Sequence, residues 1–428
     1  MKEFTKKNLD RVGEVFIEEG KIIRKINNEY RNHVKYLFEC GFIDELIQKG
    51  LFVDSKLIQK ENDLFVEHQL LEPIIYPYEW TFSMLKISAL KFIEIAEIAR
   101  KYQIGLHDCH SSNFVFHQTN PVYVDLGSFA YSYFLFPLRE YVESYLFPLI
   151  LWNLGLETTI KYALTWKTIF PVVEFFLIID PELRKHNLNM ITHSLKEKYP
   201  VWTPNVDLLS LKNHLEPLKL KITTEWGDYN KEKYDENGNF IITDRFQKII
   251  NYTSELCSDC KTAVSLGGNN GAFENELLKK TNIERVIVQD FDSKALEDGF
   301  EKYAYRMDGK QIYFANYDLI WTVSHPYWQP PEIRFKSDVL YALALTHHLM
   351  LGSGVRLNFI FEVFKKYTKK FAFIEFMPLG LWAPGAQVNI PNWYTEEYFQ
   401  RHFKIYFEII WREQLEPNRI LYIGKLKK

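Results

Sequence analysis

The chain has 428 residues, of which 47% are hydrophobic, 25% are charged and 16% are aromatic. Such a length is expected to form two or three domains, and the composition excludes a disordered chain. The 52 basic residues nearly balance the 55 acidic ones, so the net charge of −3 provides no general attraction to nucleic acid or to anionic membranes.

A polar segment divides the chain into two halves of different pattern. Residues 225–239, EWGDYNKEKYDENGN, are charged and rich in turn-forming residues. We expect a first domain at 1–224, which is α+β and mostly helical after a short strand-rich start. A linker is expected at 225–243. The remaining domain, 244–428, alternates strands with helices and is expected to be α/β.

The first half opens with a predicted β-hairpin, whose strands are Glu14–Ile17 and Lys21–Ile26, and continues into a long helix at Phe82–Lys101. Pro148 and Glu174 interrupt the apolar stretches that follow, which fall short of the ~20 residues that a membrane span needs. The N-terminal sequence has no apolar signal core, and four cysteines make no disulfide framework. The expected location is therefore the cytoplasm.

Polar residues follow the long helix at a spacing that phosphotransferases use. Asp108 lies where phosphotransferases have the group that receives a hydroxyl proton. Asn113 and Asp125 lie where they have two ligands for the magnesium bound to ATP. The segment D-C-H-S-S-N, which includes His110, resembles the D-x-H-x-x-N motif of aminoglycoside-type kinases. This resemblance implies a kinase-like domain in which Tyr76–Trp80 would lie beside adenine.

The nucleotide lid of this kinase-like domain looks reduced. A G-x-G-x-x-G sequence is absent from its hairpin, although Arg24 or Lys25 is placed to reach phosphate and Glu29 to pair with it. Three interpretations stay open at this point. The domain is an active kinase that uses ATP and magnesium, a degenerate kinase fold that binds a substrate or partner, or a helical domain with chance residues.

Alternating strand and helix patterns in the second half predict a mainly parallel sheet covered on both faces. The predicted strands are Thr262–Leu266, Arg285–Gln289, Gln311–Tyr317, Val339–Leu345, Phe371–Phe376 and an antiparallel finish at Tyr406–Trp411 and Arg419–Gly424. The predicted helices are Ala272–Lys280 and Ser293–Tyr303. Cys257 and Cys260 form an isolated C-x-x-C pair, which we interpret as incidental because no second pair lies at zinc-ligand spacing.

A glycine-rich loop joins the first of these strands to its helix. The loop runs S-L-G-G-N-N-G, and its glycines, among them Gly267 and Gly271, permit close approach of the backbone to a ligand. Asp290 lies at the end of the next strand, close to the ~20-residue spacing at which an acid binds ribose hydroxyls. This combination predicts a nucleoside cofactor, and NAD, FAD and S-adenosylmethionine remain alternatives.

The segments SLGGNNGAF, VIVQDFD, LYALALTHHL and FAFIEFMP resemble motifs of class I S-adenosylmethionine-dependent methyltransferases. The resemblance covers 244–428 and implies a Rossmann-like sheet with an antiparallel last strand. The cofactor-binding residues that it implies are Gly267, Gly268, Asn269, Gly271, Asp290, Asp292 and Asp318. Asp290 would bind the ribose, with Asp292 as the alternative if the strand is longer, and Asp318 would face the adenine amino group. Ser265 departs from the family, which usually has an acid there to hold the methionine amino group.

Polar side chains at the ends of the fourth and fifth predicted strands are the candidates for the chemistry. They are His347, His348 and Glu375, because ligands in open α/β sheets bind at the carboxyl ends of the strands. One histidine is the expected base, and a histidine packed beside the cofactor is the alternative. The ring-rich segment from Trp382 to Tyr394 is expected to be an acceptor lid, or else a surface loop.

The whole chain is also similar to a bacterial group of nodulation-protein-like methyltransferases. These resemblances predict methyl transfer to an oxygen or nitrogen of a small molecule or glycan, with the kinase-like domain binding substrate or regulating. One alternative is a bifunctional kinase–methyltransferase with phosphotransfer at Asp108, Asn113 and Asp125. The other is a non-catalytic binding or regulatory protein. We expect no metal in the methyltransferase domain, and the net charge disfavours a nucleic-acid acceptor.

Overall fold

The structure is a computed structural model that describes residues 3–4, 11–166, 169–186, 188–303, 309–320, 322, 325, 328–382 and 390–427. The chain divides into two compact units, and the first gives way to the second between Ile222 and Thr223. Among the described residues, no helix has both the length and the apolar character that crossing a bilayer requires.

The first unit begins with a five-stranded antiparallel sheet in the order β1-β2-β3-β5-β4. Its strands are β1 (Glu3–Phe4), β2 (Gly13–Glu18), β3 (Lys21–Ile26), β4 (Ser55–Lys60) and β5 (Asp63–Gln69). The predicted hairpin is confirmed as β2 and β3, joined by Glu19 and Gly20, which both have positive φ. Two residues with positive φ give the turn a twist that matches the flanking strands. Helices α1 (Arg31–Glu39) and α2 (Phe42–Gln48) lie in sequence between β3 and β4.

The rest of the first unit is mainly helical, as the sequence predicts. The long helix α3 (Phe82–Lys101) begins where Thr81 Oγ1 accepts the Met84 N–H at 3.3 Å. Two short hairpins follow, β6 (Gly105–Leu106) with β9 (Phe129–Tyr131) and β7 (Phe114–His117) with β8 (Asn120–Tyr123). The remaining helices are α4 (Leu138–Tyr141), α5 (Phe147–Asn153), α6 (Glu157–Trp166), α7 (Val172–Ile179), α8 (Leu188–Lys198) and α9 (Leu208–Leu215).

The second unit contains a seven-stranded sheet in the order β12-β11-β10-β13-β14-β16-β15. The strands are β10 (Thr262–Leu266), β11 (Arg285–Asp290), β12 (Gln311–Asn316), β13 (Ser337–Ala342), β14 (Thr368–Phe376), β15 (Phe407–Glu416) and β16 (Arg419–Leu426). Strands β10 to β14 are parallel, and β16 is antiparallel to both its neighbours. The predicted Rossmann-like sheet with an antiparallel finish is therefore confirmed.

Helices connect these strands, as parallel neighbours require. Helix α10 (Asp244–Leu256) precedes β10, and the connecting helices are α11 (Ala272–Lys280), α12 (Ser293–Tyr303), α13 (Pro331–Arg334), α14 (Leu357–Tyr367) and α15 (Glu396–Tyr406). One strand boundary differs from the prediction of Val339–Leu345, because β13 ends at Ala342. Ala344 has φ of 52°, a left-handed conformation that ends the extended run.

The strand order has a switch point between β10 and β13, the position at which open α/β sheets have a ligand-binding crevice. The chain proceeds from β10 to β11 and β12 on one side, whereas β13 and β14 lie on the other side of β10. Connections from neighbouring strands diverge at such a switch point, and ligands of open α/β sheets bind there, at the carboxyl ends of the strands. The glycine loop directly follows β10 and so lies at this switch point.

Helix α12 packs closely against the glycine loop, which is the basis of our first prediction. A Cβ atom on Gly299 would collide with the backbone carbonyl oxygen of Asn270, so the helix would have to move away. We expect Gly299→Ala to lower the free energy of unfolding by about 1–3 kcal/mol. Denaturant titration measures the change. The control is Gly352→Ala, because no heavy atom lies within 4 Å of a Cβ at that position. Equal effects of the two substitutions would contradict the prediction.

Candidate functional site

The glycine loop between β10 and α11 lies directly on β11. The N–H groups of Gly267 and Gly268 both donate to the Gln289 carbonyl oxygen, at 2.8 and 3.3 Å. A Cβ on Gly268 would be 2.7 Å from Val288 Cγ1, so only glycine fits this approach. Asn269 has φ of 52°, and asparagine tolerates this left-handed conformation better than most residues. An asparagine at this position is therefore compatible with the loop.

Asp290 holds the loop from the end of β11. Its Oδ2 accepts the Asn269 N–H at 2.7 Å, and its Oδ1 accepts the Asp292 N–H at 2.9 Å. Burial raises the pKa of this carboxyl to about 6. The predicted ribose-binding acid thus lies against the loop. Its hydrogen bond with Asn269 also helps to position that loop.

The other two predicted acids of the cofactor site have different environments. Asp292 accepts hydrogen bonds from Thr224 Oγ1, the Trp226 N–H and the Ala295 N–H, at 2.7, 3.1 and 2.9 Å. Three hydrogen bonds within the protein therefore occupy this carboxylate. Asp318 follows β12 and accepts the Ile320 N–H at 2.7 Å, in a half-buried position.

Residues 223–234, which we call the strap, contact the glycine loop although a linker was expected at 225–243. Asn269 Nδ2 donates to the Trp226 carbonyl oxygen at 2.9 Å. Asn230 Nδ2 donates to Oδ1 of Asn269 and of Asn270, at 2.9 and 2.8 Å. In the sequence, aromatic residues alternate with polar ones along the strap, a pattern compatible with a contact. The high turn content of the same residues indicated a linker instead.

A buried glutamate lies beside Ser265, the serine that stands where the family usually has an acid. Glu274, in the first turn of α11, is 2% exposed. Its Oε1 and the Ser265 Oγ lie 3.3 and 3.2 Å from where a Cβ on Gly268 would be. Its Oε2 has no hydrogen-bond partner among the described residues, and burial raises its pKa to about 7. The helix therefore supplies a carboxyl group beside Ser265.

Glu375 lies at the carboxyl end of β14 but does not present a free carboxylate. The side chain is completely buried and binds the Arg245 guanidinium through two hydrogen bonds of 2.6 and 2.8 Å. A second guanidinium, from Arg419, lies 3.2 Å from its Oε2. Both carboxylate oxygens are therefore engaged by guanidinium groups of the protein. The structure thus places Glu375, one of the three candidate catalytic residues, in an ion pair at the end of β14.

The two histidines lie together after β13. Their ring centroids are 4.0 Å apart, and the Trp226 ring is 5.0 Å from that of His348. Burial lowers the pKa of His347 to about 3, aided by the neighbouring His348 and Arg419. Burial also lowers the pKa of His348. Both imidazoles are therefore neutral near pH 7 and able to accept a proton, although His347 is the weaker base.

The expected acceptor lid is described only at its ends. Residues 383–389 lie outside the described part of the chain. Trp393 is exposed, whereas Tyr394 is buried and donates from its hydroxyl to the Met377 carbonyl oxygen at 3.1 Å. Cys257 and Cys260 are free, buried thiols. Among the described residues, no group of three or more histidine, cysteine or acidic side chains is arranged to hold a metal ion.

In the first unit, the predicted polar residues form one hydrogen-bonded cluster. Asn113 Nδ2 donates to Asp108 Oδ1 at 2.9 Å. The Ser128 hydroxyl lies 2.5 Å from Asp108 Oδ1 and 2.7 Å from Asp125 Oδ2, and so bridges the two carboxylates. Arg24 NH2 lies 3.5 Å from Asp125 Oδ1. Ser128 was not predicted, although it directly follows the D-L-G sequence.

The remaining predictions for the first unit have mixed outcomes. His110 lies beside the cluster residue Asp108 in sequence, and its Nε2 is 3.1 Å from Glu140 Oε1. Lys25 pairs with Asp63 on the neighbouring hairpin at 2.8 Å and is not directed at Asp125. Glu29 is exposed. Of the two basic residues proposed for phosphate, Arg24 is the one beside the cluster.

Comparison with known proteins gives one sequence relative and several structural likenesses. No family model matches the chain. The chain is 24% identical to the nodulation protein NoeA of Rhizobium meliloti (strain 1021) over 409 residues, which cover 86% of this chain and 83% of NoeA. It is similar to the N-methyltransferase NodS from Bradyrhizobium japonicum WM9 in complex with S-adenosyl-L-homocysteine, with a TM-score of 0.34 and 12% identity over 47% of this chain and 98% of NodS. The PH0226 protein from Pyrococcus horikoshii OT3 has a TM-score of 0.34 and 13% identity, over 48% of this chain and all (100%) of that protein.

Glu274 generates a prediction about pH dependence. Because burial raises its pKa from 4.5 to about 7, ionising this carboxyl opposes folding, and stability falls as the pH rises from about 4.5 through about 7. We expect Glu274→Gln to remove a loss of roughly 1–3 kcal/mol between pH 5 and pH 8. Thermal unfolding at the two pH values measures the difference.

The matched control for this experiment is Glu276→Gln, on the same helix. Glu276 is also largely buried, but it pairs with Lys279 at 2.5 Å and Lys280 at 3.8 Å, so its charge has the cationic partners that the Glu274 carboxyl lacks among the described residues. Some pH dependence should remain in Glu274→Gln, since Asp290 also has a raised pKa. An unchanged pH profile in the Glu274 variant would contradict the prediction.

Proposed function

We propose that the second unit is an S-adenosylmethionine-dependent methyltransferase that methylates an oxygen or nitrogen of a small molecule or glycan. The observation that carries this proposal is the glycine loop bound to Asp290 at the switch point between β10 and β13. The loop has no side chain at Gly267, Gly268 and Gly271, and it precedes the N-terminus of a helix. A nucleoside with an attached amino acid has the dimensions and the polar groups for such a site.

The residues of the crevice fit this cofactor. Asp290 and Asp318 would hold its adenosine, and the backbone of the glycine loop would lie beside its amino-acid end. Glu274 offers a buried carboxyl with an unpartnered oxygen, which suits a cationic group and offsets the missing acid at Ser265. When bound, S-adenosylmethionine supplies an electrophilic methyl group.

The contribution of the chain itself is alignment of the acceptor and exclusion of water. His348 is the better placed of the two histidines to take a proton from the acceptor, because it is half-buried, whereas His347 is 5% exposed. The Trp226 ring packs against the His348 ring, with the two centroids 5.0 Å apart. A bacterial setting agrees with the similarity to NoeA, a nodulation protein, and a glycan is among the acceptors that the proposal includes.

A second candidate function belongs to the first unit, for which we propose a kinase-like domain. The cluster of Asp108, Asn113 and Asp125 favours binding of ATP with magnesium, since these residue types serve as proton acceptor and metal ligands in phosphotransferases. The Arg24 guanidinium on Asp125 favours a binding or regulatory role, because it already neutralises one of the carboxylates that magnesium needs. A wholly non-catalytic protein would bind both nucleoside ligands and form no product.

Calorimetric titration with S-adenosylmethionine and S-adenosylhomocysteine tests the first proposal. We expect micromolar binding by the natural chain and at least a ~100-fold loss in Gly267→Arg, because the side chain would enter the crevice beside Leu345. Gly354→Arg is the control, since Gly354 has a similar φ of 69° but no heavy atom within 4 Å of a Cβ. Failure of the folded natural chain to bind either ligand would overturn the proposal.

Titration with ATP, with and without magnesium, tests the second candidate. Magnesium-dependent binding that Asp125→Ala abolishes would support a nucleotide site. Asp63→Ala is the control and should leave that binding unchanged. Asp63 lies on β5, where its carboxylate forms a half-exposed ion pair with Lys25. Absence of binding at millimolar ATP would contradict the candidate and leave the cluster with a structural role.

A further inference from the structure

Lys233 is a half-buried cation in the strap with no carboxylate partner among the described residues. It ends a short 3-10 turn, Lys231–Lys233, and its ammonium lies 3.9 Å from the centroid of the Tyr229 ring. Its ammonium donates to Asn230 Oδ1 at 3.0 Å and also interacts with the Tyr229 side chain. A neutral amide oxygen and an aromatic face compensate a buried positive charge only in part.

The surroundings of Lys233 carry further positive charge. Burial lowers its pKa, and the charges of Arg245 and Arg419 lower it further. The carboxylates of this region are already committed, because Glu375 binds both arginines and Glu416 pairs with Arg419 Nε at 2.9 Å. The Tyr229 side chain beside Lys233 acts in the opposite direction and raises the pKa of the lysine. The region therefore has an excess of positive charge that a bound anion would offset.

Asn230 connects Lys233 to the glycine loop. The oxygen of its amide accepts from Lys233, while its Nδ2 donates to Oδ1 of both Asn269 and Asn270. Asn270 and Gly271 directly precede α11, whose first N–H groups favour an anion. One small carboxylate between the loop and Lys233 would interact favourably with both.

We propose that Lys233 binds the carboxylate at the amino-acid end of the cofactor. This inference rests on the proposed function, because S-adenosylmethionine carries its only carboxylate at that end. The strap would then take part in cofactor recognition through a charged hydrogen bond, in addition to covering the loop. A carboxylate of the methyl acceptor is the other possible source of the same chemistry, and the experiment separates the two.

Calorimetric titration should compare S-adenosylhomocysteine with its decarboxylated analogue, which retains the amine. The full-length natural chain should bind S-adenosylhomocysteine more tightly than the analogue. Lys233→Met should weaken binding of S-adenosylhomocysteine by about 10- to 100-fold, the loss of one charge-assisted hydrogen bond, and change binding of the analogue by less than about 3-fold. Lys233→Arg, which keeps the charge, should recover part of the difference.

Lys231→Met is the matched control, because Lys231 lies in the same turn but is exposed and pairs only distantly with Asp228, at 3.9 Å. It should bind both ligands as the natural chain does. If Lys233→Met keeps the natural preference for S-adenosylhomocysteine, the lysine does not bind the cofactor carboxylate and the inference is overturned, with an acceptor carboxylate as the remaining source. If the natural chain binds neither ligand, the proposed function fails and the inference fails with it.

Discussion

The close contact between the glycine loop and β11 is the constraint on which the site in the second unit depends. The loop can lie on the strand only because Gly268 has no side chain, and the hydrogen bond from Asn269 to Asp290 fixes its left-handed turn. The strap is attached to the same turn through both asparagines of the loop, and α12 approaches it at Gly299. A change in this contact would therefore move three elements at once.

Two regions of different charge lie along the carboxyl ends of the strands in this unit. Near β10 and β11, the buried carboxyls of Asp290 and Glu274 both have raised pKa values, since desolvation disfavours their charged forms. Near β14 and β16, arginines predominate, and the buried Glu375 is shared between two of them. A ligand that is positive at one point and negative at another suits such a crevice better than a neutral one.

Local pattern predicted the strands of the second unit well, because buried parallel strands are continuous apolar runs between glycine turns. The loop and Asp290 were predictable for the same reason, since they depend on spacing along one strand–turn–helix segment. The ion pairs of Glu375 were not, because Arg245 and Arg419 are distant in sequence from it and from each other. The first unit shows the same limit, where Ser128 connects two carboxylates that the motif predicted singly.

The position of the strap in the chain has a consequence for dissecting the protein into parts. The strap begins at Thr223, immediately after the first unit ends, whereas the sheet begins only at Thr262. A fragment cut at Asp244, where the helical pattern of the second unit starts, would retain all seven strands and the whole glycine loop. It would nevertheless lack Asn230 and the other side chains that cover that loop. The complete sheet and the complete covering of the glycine loop therefore have different N-terminal limits in this protein.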